Sequence, residues 1–166
     1  MHAFIQALSA SKEGRWGEID ALLSDLKPVL KKYDAAFNVN LAPRLKKGVD
    51  AKDPNEVAKN FAHVLFLGMI DNFLQATAER LKNFEHSSQY LATARSYYER
   101  VLAGNIKRKD ASIHDEIMRQ FEQAELAIGH PGLLGAGKID PDPQRFVSAA
   151  KAIEANIRRI YTYFNN

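Results

Sequence analysis

After Pro54 the chain runs as far as Ala103 with no further proline and a single glycine, Gly68. Nothing in that stretch stops a helix strongly. As one straight helix it would be roughly 75 Å long, whereas a globule of this chain length is only about 40 Å across. The chain must therefore turn inside it, and Asn83-Phe84-Glu85-His86-Ser87-Ser88 is the polar place to do so. This predicts one helix over Pro54–Lys82 and another over Ser87–Leu102.

The remaining punctuation is also helical. Asp53-Pro54-Asn55-Glu56 reads as an N-cap, a proline at the first helical position and a capping-box glutamate. Asp142-Pro143 repeats the device. Ser112, with Asp115 three residues on, is a weaker start, and Asp110 is a rival cap. Gly104 and Gly129 stand where helices should stop. These signals place a fourth helix over Ser112–Ile128 and a last one over Gln144–Phe164. The last carries one apolar stripe: Phe146, Ala150, Ile153, Ile157, Ile160 and Phe164.

Upstream, a helix is expected over Trp16–Phe37, with Ile19, Leu22, Leu23, Leu26, Leu30 and Tyr33 facing inward and Pro28 kinking or breaking it. Phe4–Ser11 adds a short leading helix, and Asn38–Lys52, with Pro43 and Gly48, reads as a connector. No run of alternating β-branched residues suggests a strand. The expected fold is all-α: a four-helix up-and-down bundle with an extra N-terminal helical segment, forming a single domain over residues 1–166. A long Gly/Pro-rich loop, Gly129–Pro143, precedes the last helix. Loops of that length are often functional; the plainer reading is a passive crossover strapped along the bundle.

Composition narrows the chemistry. Hydrophobic residues at 46% and charged residues at 26% exclude a disordered or collagen-like chain. The absence of cysteine removes disulfides, thiolate metal sites, iron–sulfur clusters and thiol catalysis. A net charge of +3 is spread along the chain, and its only basic run, Lys107-Arg108-Lys109, falls in an expected inter-helix loop. Nucleic acid is thereby disfavoured as a partner. No apolar stretch approaches the 20 or so residues of a membrane span. Met1-His2-Ala3-Phe4-Ile5 lacks the basic start of a signal peptide but also suits the trimmed start of an exported chain, so cytoplasm and export both stay open. There is no Gly-x-Ser-x-Gly elbow, and Gly132 to Lys138 lacks the hydroxyl residue of a phosphate loop. No motif proposes an enzyme.

Five histidines invite a metal or haem reading, because bundle cores commonly hold both. Glu-x-x-His and His-Glu-x-x-His are both absent. One constellation could still form across helices. Counted from Val57, the inner positions of the Pro54–Lys82 helix run Phe61, Val64, Leu67/Gly68, Asp71, Leu74 and Ala78, so Asp71 falls where an apolar residue is expected; His63 lies two turns earlier, and His86 and His114 sit on the next two helices. Converging, they would suit a transition metal, or a haem with Met118 as an axial alternative and Tyr90 and Tyr97 lining its cavity. The plainer reading bonds Asp71 to a tyrosine hydroxyl or Arg95 and leaves the histidines at helix ends. The expectation that best fits the missing motifs is a non-catalytic binding or accessory bundle acting through a protein partner or small ligand. It would present helix faces and the loop residues His130, Gly132, Leu133, Leu134 and Gly135. The alternative is a metal- or haem-binding bundle with the His/Asp site in its core.

Overall fold

The computed structural model describes residues 2–78, 81–132 and 136–165. Helices account for nearly all of them, and among the described residues there is no strand, only an isolated bridge between His130 and Ile139. The helices are α1 (His2–Lys12), α2 (Trp16–Phe37), α3 (Leu41–Asp50), α4 (Pro54–Ala78), α5 (Phe84–Tyr97), α6 (Ala103–Lys109), α7 (Ala111–Ile128) and α8 (Pro143–Ile160). A π-helical turn, Tyr98–Leu102, links α5 to α6, and a 3₁₀ turn, Thr162–Asn165, follows α8. They divide into two compact units, one up to Leu67 and one over Gly68–Asn165.

In the N-terminal unit α1 packs on α2 and α2 on α3. Pro28 does not break α2, which runs through it. Its missing N–H leaves the Ser24 carbonyl without the usual donor, one bond in a helix of six turns. The expected connector over Asn38–Lys52 instead folds as α3. Pro43 is the third residue of that helix, where a backbone N–H has no intrahelical partner in any case. Asp34 makes the α2–α3 turn: its carbonyl accepts the N–H of Val39 at 3.2 Å, and its carboxylate accepts the N–H of Leu41 at 2.7 Å. Gly48 of α3 is buried against the start of α4, where a Cβ would make ordinary contact, at 3.4 Å, with Glu56 Cβ and the Val57 nitrogen. Asp53 caps α4 by accepting the N–H groups of Asn55 and Glu56.

In the C-terminal unit α7 packs most extensively on α8, with α5 and α6 also against α7. Phe73 of α4 meets Phe121 and Phe146 at ring distances of 6.0 and 6.3 Å, and Tyr98 meets Phe121 at 5.6 Å. The caps are specific. Asn83 Oδ1 accepts the His86 N–H, Asp110 accepts those of Ser112 and Ile113, and Asp142 accepts that of Arg145. Asp110, rather than Ser112, is thus the cap of α7; the Ser112 hydroxyl bond holds its carboxyl below the usual range. Gly104 does not end a helix: it lies inside α6, which follows the π turn without interruption.

One expected register is corrected. On α4, Asn60 to Ile70 are buried on every side, so Phe61, Val64 and Leu67 fit any inward stripe. Beyond Ile70 burial narrows to Phe73 and Ala76, while Leu74 is 55% exposed and Asp71 only half-buried. A fully buried helix carries no stripe from which to count, so the spacing from Val57 drifted off the inner face.

Candidate functional site

The proposed metal ligands are not gathered. Among the described residues no group of three or more His, Asp or Glu side chains is placed to hold a metal ion. His63 is fully buried on α4, its ring tilted against Phe66 at 6.2 Å. His86 is exposed at the start of α5. His114 is half-buried, and its Nδ1 lies 2.7 Å from the hydroxyl of Tyr98. Burial pushes the pKa of that hydroxyl far up, so it stays protonated. The two side chains share this hydrogen bond, and their rings stack at 5.9 Å. Met118 and Tyr97 are half-buried and Tyr90 is 37% exposed. The residue with a protected phenol is instead Tyr98, next to Tyr97 in sequence. Tyr161 is its companion, also buried and also pushed up by burial, donating to the Leu102 carbonyl at 3.2 Å.

The loop after α7 gives a more defined arrangement. His130 and Ile139 exchange two backbone hydrogen bonds, of 2.9 and 2.8 Å, which close the loop base. The Asp142 N–H donates to the Ala127 carbonyl at 2.8 Å, pinning the exit to the end of α7. Gly129 adopts φ 78°, and a Cβ there would stand 2.4 Å from the Ile139 carbonyl oxygen; only glycine fits. The His130 ring meets Phe84 edge-on at 5.7 Å, and its Nδ1 accepts the Gly132 N–H at 2.9 Å. Leu133, Leu134 and Gly135, the other expected loop contacts, lie outside the described residues.

This base forms one wall of a groove of about 540 Å³, walled also by Phe84 and Ser88 of α5 and by Glu122, Glu125 and Leu126 of α7. Leu126 is 59% exposed, Ile139 60% and Phe84 37%. Among the described lining residues Glu122 and Glu125 are the two carboxylates, and Arg95 lies 3.8 Å from Glu125. Of these residues the sequence reading had singled out His130 alone. Leu126 carried a usable signal: it is a large apolar residue off the Ile113, Ile117, Phe121, Ala124, Ile128 stripe of its helix.

The chain matches no protein-family model, no curated protein and no solved structure.

Proposed function

We propose that the protein is a non-catalytic helical binding module, acting through a protein partner that docks in the groove between the start of α5, the end of α7 and the base of the following loop. The supporting observation is the exposure of Phe84, Leu126 and Ile139 together around one concavity. Apolar side chains concentrated at a groove mark interaction surfaces, whereas scattered ones do not. Glu122 and Glu125 choose the partner's chemistry: an amphipathic segment with apolar anchors flanked by Lys or Arg. The scaffold of this reading is the up-and-down arrangement of α4, α5 with its continuation, α7 and α8. For the metal alternative, no group of three or more His, Asp or Glu side chains stands together among the described residues. No described helix is long and apolar enough to cross a membrane.

The test is fluorescence anisotropy with a labelled peptide carrying leucines at helical i, i+3, i+4, i+7 spacing and lysine flanks. Saturable binding is expected, weakened at least tenfold by Leu126→Glu and by glutamate flanks on the peptide. Equal affinity for both peptides, or no effect of Leu126→Glu, would overturn the proposal.

A further inference from the structure

The basic run Lys107-Arg108-Lys109 does not fall in a loop. It forms the last turn of α6, with all three side chains exposed. The last turn of α8 carries a second basic pair, Arg158 and Arg159. Far apart in sequence, the two runs meet at one end of the C-terminal unit, because α6 packs on both α7 and α8. Tyr161, directly after α8, donates to the carbonyl of Leu102, directly before α6. The electrostatics agree. Burial raises the Tyr161 phenol, while Asn105 and Arg108 of α6 pull it the other way. The Asp110 carboxyl, held low chiefly by the Ser112 hydroxyl, also feels Arg159.

Each run suits the negative end of its own helix. Gathered, they make a field that local acids leave unquenched. Arg158 is already paired with Glu154. Among the described residues, no ion pair joins Lys107, Arg108, Lys109 or Arg159 to a carboxylate. Arg159, which is exposed, donates to the neutral Asn156 side chain of its own helix at 3.3 Å. Asp110 gives its carboxylate to the N-cap of α7.

The surroundings of these four cations select the partner. Among the described residues, no large apolar side chain over 98–115 or 156–165 is strongly exposed. A basic patch that attaches to a membrane is joined by an apolar or acyl anchor. A protein interface has a desolvated aromatic or aliphatic centre, and a single strand wants exposed rings on which its bases stack. A duplex backbone needs none of these, since Lys and Arg hold its rows of phosphates without regard to sequence. We propose that this end of the C-terminal unit binds the phosphate backbone of double-stranded DNA through Lys107, Arg108, Lys109 and Arg159. The expectation against nucleic acid rested on one isolated run, and the second run beside it removes that ground. The peptide groove lies at the other end of α7, about 24 Å along the helix, so this surface goes beyond that reading and does not depend on it.

The full chain is titrated into a labelled, mixed-sequence DNA duplex and followed by fluorescence anisotropy. Saturable binding is expected, with affinity falling about 30- to 150-fold between about 50 and 200 mM salt, as three or four phosphate contacts require. A double Arg108→Gln, Arg159→Gln variant takes one cation from each run. It should bind at least fivefold more weakly and show a flatter salt dependence, with unfolding within about 4 °C of the parent. Lys27→Gln with Lys31→Gln, on the exposed face of α2, removes the same charge and should change affinity less than twofold. Lys107→Gln with Lys109→Gln repeats the test on α6 alone, with the same direction expected. Four results would overturn the proposal. They are no saturable binding at low salt, binding indifferent to salt, and an α2 pair that costs as much as the patch pair. The fourth is a single strand, polyglutamate or phosphatidylserine vesicles bound as tightly as the duplex.

Discussion

Buried polar side chains of the two units differ in how fully their hydrogen bonds are filled. In the C-terminal unit each of two buried phenols has its partner: Tyr98 shares a hydrogen bond with His114 Nδ1, and Tyr161 donates to the Leu102 carbonyl. In the N-terminal unit Asn60 uses its amide hydrogens and leaves its oxygen without a donor. The first arrangement is complete in itself and serves the packing of α5, α7 and the chain end. The second leaves one buried acceptor unfilled by any described side chain or backbone group. A polar side chain in a core is therefore evidence of a site only when its hydrogen-bonding capacity is unfilled, and residue type alone does not reveal that.

The contrast can be broken most forcefully at the aromatic centre. Phe121→Ala removes a ring that meets both Phe73 and Tyr98, and should destabilise the protein by about 3–5 kcal/mol in urea unfolding. Alkaline titration comes next. Tyr98 and Tyr161 are raised above the ordinary phenol value of about 10 by burial, so above that pH the unfolded chain loses protons that the folded one retains. Their contribution is fully present below pH 10 and declines as pH rises, by about 1.4 kcal/mol per pH unit for each fully held phenol. A double Tyr98→Phe, Tyr161→Phe variant should show a flatter curve. Tyr98→Phe alone, at pH 7, removes the hydrogen bond to His114 and should lower stability by about 1 kcal/mol. The smallest effect belongs to Asn60→Leu. It loses one amide bond but also removes the unfilled acceptor, and should lie within about 1 kcal/mol of the parent. Destabilisation by 3 kcal/mol or more there would place Asn60 among the satisfied groups and erase the difference between the units.

Most helix positions were legible because their starts are written in single residues. Asp53, Asp110 and Asp142 each accept the backbone N–H groups that a helix start leaves exposed, whereas Asn83, which reads as part of a turn, caps α5 and starts it at Phe84, three residues before the expected Ser87. α3 was not legible: Pro43 and Gly48 read as interruptions, although proline costs little in a first turn and Gly48 lies buried inside the helix. With α3 unseen, Arg44 and Lys47 could not be placed on one face. Asp71 was singled out by counting along a helix whose middle is buried all round, where spacing carries no information. Its neighbour at the true inner position is Phe73, with Ala76 one turn beyond. The groove was half legible, through His130 and the glycines of its loop; Phe84 and Leu126 become meaningful only once the helices are set side by side.

The π turn at Tyr98–Leu102 has a consequence for chain length. Its closing bond runs from the Ala103 N–H to the Tyr98 carbonyl, five residues back instead of four, so the segment holds one residue more than an α-helix of the same span would need. A homologue shorter by one residue here could run straight from α5 into α6 with Ile106 still facing the core. It would then lack the turn whose Leu102 carbonyl takes the Tyr161 hydroxyl. Insertions and deletions in a family of this fold should therefore be sought inside a helix as well as in its loops, paired with the presence or absence of a tyrosine near the C-terminus.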